Sequence, residues 1–309
     1  MKISLHVVTW NSSAVIGSLL SSIAHQRRLP DQMIVVDNAS ADATVSMVRA
    51  AKLPIQLITE SMNTGFAAGH NTALSHATSD IAIICNPDII LDPSTIFSIE
   101  RAWNELPESG AIIGELRRSD SMIDSLGVRR DRGFRFYNID EGTPRKHAHT
   151  RHAVFGVPGA FFSIRTSTAK ALSWEGELFD VMFFAYKEDV DLSFRIHEAG
   201  LEILFDPAIT ATHTRTVKRF GGPAAFASLR SHAHQSSRVR FLSYRNHLWT
   251  VLKHVTAKDL VQEFPWILWY ELQKAGFLLV TSPWTLVRAW IQTIQQLPRI
   301  VRFRHRSSI

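Results

Sequence analysis

Short apolar runs alternate with amphipathic stretches through the first 116 residues of the chain. Residues 3–9, 33–37, 55–59, 81–85 and 111–116 are apolar segments of strand length, the kind covered on both faces in a parallel sheet. Between the first two, Ile16, Leu19, Leu20 and Ile23 recur at helical spacing, with Asn11, Ser12 or Ser13 as the cap at the entrance. Residues 44–51, 66–77 and 93–106 predict three more helices. Such a βαβ series predicts an α/β sheet with right-handed crossovers and a ligand crevice at the carboxyl ends of its strands.

The rhythm breaks at residues 117–152, which hold nine Lys or Arg and five acids. They predict a long loop region at the mouth of a site, or else a solvated insertion. A strand-like segment follows at 154–165. Then the apolar run from Phe183 turns into a helix marked by Leu192, Ile196 and Ala199 and stopped by Gly200. Glu188 and Asp189 fall in its first turn, with Asp191 close behind. The helix dipole favours their ionised forms, whereas crowding and partial burial raise the pKa of one, as a proton acceptor at a pocket edge requires. The plainer alternative is an acidic turn that only complements the dipole. Further strands are expected at 202–205 and around His213.

From about Phe241 the character changes to Trp-rich helix with basic ends. Five of the eight tryptophans lie there, and after Leu272 six Lys or Arg occur with no acid. The longest uncharged stretch, 275–287, falls short of the roughly 20 residues that span a bilayer. The pattern predicts helices lying on an anionic membrane surface. The alternative is the packed tail of a soluble homodimer, while the long aliphatic stretches argue against nucleic acid. With 309 residues, 45% hydrophobic and 20% charged, the chain has the composition of a globular protein. One large domain over 1–215 and a helical extension over 216–309 are expected. Cys85 lies inside an apolar run, as a buried small residue would, and one cysteine excludes an internal disulfide. The early polar residues at the amino terminus do not form a signal peptide, which points to a cytoplasmic location.

Four segments at predicted strand ends carry amides, small residues and carboxylates suited to a nucleoside diphosphate: Thr9-Trp10-Asn11, Asp37-Asn38-Ala39-Ser40, the run from Asn63 to Asn71, and Asn86-Pro87-Asp88. Each alone is compatible with an ordinary turn. In order, and together with Gly159-Ala160, the run Phe184-Ala185-Tyr186-Lys187-Glu188-Asp189-Val190-Asp191-Leu192 and His213, they resemble the family 2 glycosyltransferases over about residues 1–215. That resemblance implies the GT-A fold, a nucleotide-diphospho-sugar transferase sheet with flanking helices.

The resemblance further implies a nucleotide site formed by Thr9, Asn11, Asp37, Asn38, Asn63, Gly65, Phe66 and Asn71, with Asp37 accepting the imide N–H of uracil or thymine and Gly65 permitting close backbone approach. Asp88 and His213 stand where the family holds Mg²⁺ or Mn²⁺. Asn86 replaces the first carboxylate of that motif, which implies weak metal binding without nucleotide. Asp189 is the implied base of an inverting transfer, Glu188 its alternate and Asp191 structural, with an Arg from 117–152 assisting the leaving group. The Asn-Pro-Asp form is similar to bacterial rhamnosyltransferases of cell-envelope polysaccharide assembly. The donor implied is dTDP- or UDP-linked, L-rhamnose foremost, and the acceptor a glycan or polyprenyl-linked glycan at the inner face of the membrane. A catalytically inactive nucleotide-sugar-binding scaffold is the alternative. His147, His149, His152, His232 and His234 lack zinc-site spacing and are expected in solvated loops. No P-loop, GxSxG or GxGxxG motif occurs.

Overall fold

A computed structural model of the chain describes residues 1–120, 122–145, 149–215 and 236–306. His147, His232 and His234 lie outside the described residues, as does the start of the expected extension at 216. The strands are β1 (Ile3–Thr9), β2 (Gln32–Asp37), β3 (Ile55–Thr59), β4 (Ile81–Cys85), β5 (Ile89–Leu91), β6 (Ala111–Arg117), β7 (Ile123–Ser125), β8 (Val128–Asp131), β9 (Arg135–Asn138), β10 (His152–Val154), β11 (Phe161–Arg165) and β12 (Ile203–His213). Ten form one mixed sheet whose main path runs β10-β12-β6-β11-β4-β1-β2-β3, and β8 and β9 make a separate hairpin.

The half made of β3, β2, β1 and β4 is parallel, as the apolar runs predict. Its register places Thr9 opposite Asp37, and β4 ends at Cys85 beside Val7, so the polar residues that follow these strands emerge on one edge. β11 then runs antiparallel to β4, which makes the sheet mixed beyond that point. On one face pack helices α1 (Ile16–Ala24), α2 (Thr44–Ala50) and α4 (Thr95–Glu105), through Leu19, Val48 and Trp103 among others. On the other lie α3 (Gly65–Ser75), α5 (Thr166–Ala171) and α6 (Glu188–Glu198), through Ala67, Ala169, Leu192 and Ile196. Each such fully buried aliphatic side chain contributes about 1.5–3 kcal/mol.

Three expectations are corrected. Helix α1 starts at Ile16 with no side-chain cap: the Ser12 hydroxyl accepts from Trp10 N–H at 3.2 Å and Asn11 Oδ1 from Ala41 N–H at 2.8 Å instead. Residues 203–205 and 211–213 belong to one strand, β12, with a register shift between Phe205 and Thr210, and Glu202 precedes it. The expected loop at 117–152 contains strands β7, β8 and β9. The hairpin β8-β9 turns through Gly133 and Phe134, both at positive φ, and Phe134 stacks on Phe194 of α6 at 5.7 Å. Its many charges hid the strand pattern because they find partners: Arg130 pairs with Asp259 and Glu263 at 2.8 and 3.1 Å.

The C-terminal helices α7 (Ser237–His254), α8 (Ala257–Thr281) and α9 (Pro283–His305) are in part a brace for the sheet domain. A capping box at Thr256 and Asp259 opens α8, and Pro283 opens α9 where its missing N–H costs nothing. No helix among the described residues is long and apolar enough to cross a membrane. From α7, Lys253 Nζ lies 2.5 Å and His254 Nε2 3.0 Å from the Asp191 carboxylate, which also accepts from Arg195 at 3.0 Å. Burial alone would raise the Asp191 pKa, but the Lys253 and Arg195 charges and the His254 hydrogen bond hold it well below the usual carboxylate range. Its contribution to stability is present above the unfolded-state pKa of about 3.9 and is lost as pH falls through the depressed folded value. Replacing Asp191 by Asn leaves buried cations without their counter-charge. The expected loss is about 3–5 kcal/mol in urea unfolding at neutral pH.

Candidate active site

The segment that delivers the acidic helix is held in an unusual backbone shape. Phe184, Tyr186 and Lys187 have φ of 64°, 73° and 75°, a region that costs side-chain-bearing residues on the order of 1–3 kcal/mol each. The shape is fixed from α7. Asn246 Nδ2 donates to the carbonyls of Phe183, Ala185 and Tyr186 at 2.8, 2.8 and 2.7 Å, and Arg245 donates to those of Met182 and Phe183. Gly65 closes the other side. With φ at +90°, it approaches Phe184 so tightly that a Cβ would lie 2.4 Å from the Phe184 carbonyl oxygen. The close approach that Gly65 permits here is to this loop.

Asp189 and Glu188 emerge from this turn onto a cavity of about 440 Å³, whose walls include Phe66, Asn86, Gly159, Tyr186, His213 and Arg215. The Asp189 carboxylate accepts from the backbone N–H groups of Gly159 and Val190 at 3.0 and 2.8 Å. Gly159 is needed there, since a Cβ would sit 3.1 Å from Asp189 Oδ2. Glu188 Oε2 is buried with no hydrogen-bond partner among the described residues. Burial raises both pKa values. Like charge on Asp189 adds to the rise at Glu188, whereas Lys187 and the two N–H groups oppose it at Asp189. Of the two, Glu188 is therefore the more easily protonated, and the two N–H groups favour the ionised form of Asp189.

His213, at the end of β12, faces Asp88 and Asp124 with its two ring nitrogens, Nε2 at 3.3 Å and Nδ1 at 2.9 Å. Burial of the ring acts to lower its pKa, but hydrogen bonds to Asp124 and Asp88 outweigh that and raise it to about 9. Asp124, held by His213 and Arg215 against its burial, is lowered to about 2. One carboxylate and one imidazole thus sit side by side, with Asp124 fixing the ring as outer partners of metal-bound histidines do. Among the described residues no three His, Cys, Asp or Glu side chains group as a metal site. The donor set fits a divalent cation when diphosphate oxygens complete it and the cation displaces the Nε2 proton of His213.

The remaining expected site residues support the edge of the sheet. Thr9 is fully buried and donates to Asp37 at 2.7 Å, so it holds that carboxylate from beneath instead of lining a pocket. Ser40 bonds Asp37 through hydroxyl and N–H at 2.6 and 2.8 Å, and Asn11 accepts from Ala41 N–H at 2.8 Å, clamping the same turn. Asn38 bonds the Gly65 carbonyl and the Thr64 hydroxyl, and Asn63 accepts from Gly65 N–H. Asn71 spends both amide atoms on the backbone of Phe179, at 2.7 and 2.9 Å, and so straps that segment to α3. Phe66, Glu188, Asp189 and His213 share the cavity, with Asp88 against His213. Asp124, Arg215 and Asn246 escaped sequence reasoning. Asp124 has no local motif, and Asn246 lies three residues before Trp249 in a helix whose sequence reads as apolar and basic surface.

The family model "Glycosyl transferase family 2" matches residues 4–171. The chain belongs to that family, and its architecture is the GT-A fold. An uncharacterised Bacillus subtilis glycosyltransferase, YwdF, is 31% identical over 96 residues, 31% of this chain and 36% of that protein. The N-acetylglucosaminyl-diphospho-decaprenol L-rhamnosyltransferase of Mycobacterium tuberculosis is 22% identical over 266 residues, 78% of this chain and 84% of that protein. The crystal structure of GalNAc-T7 with UDP, GalNAc and Mn²⁺ is similar at a TM-score of 0.62 and 13% identity, covering 82% of this chain and 48% of that one. The chain thus spans about a third of YwdF and about half of the GalNAc-T7 chain.

Asn246→Ala removes a donor that three strained carbonyls share. The expected result is a loss of about 1–3 kcal/mol in stability together with faster amide hydrogen exchange at residues 184–187. Unchanged exchange there would show that α7 does not hold the loop.

Proposed function

We propose that the chain is an inverting glycosyltransferase of cell-envelope glycan assembly, acting at the inner face of the cytoplasmic membrane. It moves a sugar, L-rhamnose from dTDP-L-rhamnose as the favoured donor, onto a polyprenyl-linked glycan. The observation that carries this is one cavity lined by both Asp189, oriented by two backbone N–H groups, and His213, with Asp88 3.3 Å from the His213 ring. The likeness to the mycobacterial rhamnosyltransferase, whose name joins that sugar to a decaprenol-linked acceptor, supports both choices.

Asp189, aimed by Gly159 and Val190, takes the proton of the acceptor hydroxyl as that oxygen bonds to the anomeric carbon. The bond from that carbon to the donor's diphosphate breaks, and its electron pair leaves with the nucleoside diphosphate. Asp37 offers its carboxylate to the imide N–H of the base, since among the described residues Oδ2 accepts from Ser40 N–H alone and keeps a lone pair. Asp88 and His213 would hold Mg²⁺ or Mn²⁺, which supplies Lewis-acid neutralisation of the leaving charge. Arg215 and Arg118 pair with Asp124 and Glu141, so they balance acids at this wall.

Helices α8 and α9 carry apolar stripes that suit a membrane surface. Trp269, Val280, Trp284 and Ile294 are 63%, 85%, 78% and 65% exposed, values that leave them unpacked against this chain. Because α7 braces the catalytic loop, the membrane test uses point changes in place of truncation. Trp269→Gln with Ile294→Gln is expected to weaken retention on anionic vesicles at least about tenfold without changing the melting temperature. Equal retention would remove the membrane role.

Thermal shift with dTDP, UDP and GDP, with and without Mn²⁺, tests the donor. Stabilisation by dTDP or UDP, enhanced by Mn²⁺, is expected, and no response to any of them would defeat the proposal. In transfer assays Asp189→Asn should lose about 10²–10⁴ in kcat. Activity falls as pH drops through the raised pKa of the acidic pair. Glu188, the more easily protonated of the two, is neutral where Asp189 titrates, so Glu188→Gln is expected to leave the acidic limb nearly in place and to keep most of the activity. A Glu188→Gln enzyme as inert as Asp189→Asn would instead assign the base to Glu188.

A further inference from the structure

A second cavity, of about 700 Å³, opens between Phe184 and helices α7 and α9. Arg238, Phe241, Arg245, Trp284 and Arg288 are among its walls, and no carboxylate is among the described residues that line it. Arg245 is committed, through Gln292 and the carbonyls of Met182 and Phe183. Arg238 and Arg288 are not. They lie over the rings of Phe184 and Phe241 at 4.7 and 5.0 Å, and neither has an ion-pair partner among the described residues. Two arginines resting on aromatic faces, with hydrogen-bonding edges available, are suited to phosphate oxygens. The apolar walls beside them suit a hydrocarbon chain.

Position gives the groove its meaning. Phe184 lines it, while its neighbours Ala185 and Tyr186 line the cavity of Asp189. On α7, Leu242 lines one and Ser243 the other. The two cavities therefore share the wall formed by the strained loop and α7, and the exposed stripe of α9 begins at Trp284 on the groove's rim. We infer that this groove holds the diphosphate and first prenyl units of the lipid-linked acceptor, placing its sugar over the shared wall toward Asp189. The inference rests on the proposal of a polyprenyl-linked acceptor. Its volume lies within the range of small-ligand sites, which argues for one headgroup instead of a bulk phospholipid surface.

The test compares the wild-type chain with R238Q/R288Q and R238K/R288K on phosphatidylcholine vesicles carrying either polyprenyl diphosphate or, at equal charge, phosphatidylglycerol. The wild type should favour the diphosphate vesicles by about tenfold or more, the scale of charge-assisted contacts to two arginines. R238Q/R288Q should lose that preference yet keep its retention on phosphatidylglycerol, and R238K/R288K should recover part of it. Melting curves of each variant confirm folding, which these exposed positions do not threaten. A wild type without preference, or a variant that loses both vesicle types equally, overturns the inference. Nucleotide thermal shifts on the same samples separate the two proposals: nucleotide binding without lipid preference defeats the groove alone, whereas lipid preference without nucleotide binding supports the groove and defeats the transferase.

Discussion

The carboxylate of Asp191 is buried at the junction between the catalytic helix and the C-terminal helices, and three cationic or hydrogen-bonding side chains converge on it. A charge so placed tolerates no loss of partners, because the interior offers no water to replace them. Lys253 extends the tie, reaching Asp180 at 3.0 Å as well. The helix that presents Glu188 and Asp189 is thereby anchored to α7. From that same helix Asn246 and Arg245 fix the strained carbonyls just ahead of the acids. The C-terminal segment and the site form one mechanical unit.

This anchoring lets the cavity keep opposite charge tendencies on its walls. On one, burial raises the pKa of two adjacent carboxyl groups, and backbone N–H groups favour the ionised form of Asp189. On another, Asp88 and Asp124 raise the His213 pKa to about 9, and a divalent cation at Nε2 would take the place of that proton. A base beside a region able to receive a departing diphosphate is what a single displacement at an anomeric carbon needs. The groove on the other side of the loop adds a third chemical character, arginine on aromatic faces.

Much of the parallel half was legible because buried strands such as Ile81–Cys85 are continuous apolar runs and α1 repeats its apolar positions at helical spacing. The 117–152 region was not. Arg130 and Asp131 mask a strand, and only tertiary ion pairs to α8 explain why such charged residues lie in a hairpin. At the site, the acidic turn at Glu188 and Asp189 was legible from local pattern, and His213 and Asp88 from resemblance. Support roles were not: Thr9 beneath Asp37, Gly65 against Phe184 and Asn71 on Phe179 are set by contacts between distant segments. The tryptophan-rich helices signalled an apolar surface correctly, since their stripes are exposed, but concealed the polar residues of α7 that face inward.

A crystal structure of the chain with dTDP and Mn²⁺ tests the central claim most directly. The account predicts the thymine edge against Asp37 and the diphosphate in the cavity walled by Phe66, Asp189 and His213, with Mn²⁺ at Asp88. A nucleotide bound away from that edge of the sheet, or a diphosphate separated from the Asp189 cavity by the 183–187 loop, would contradict it.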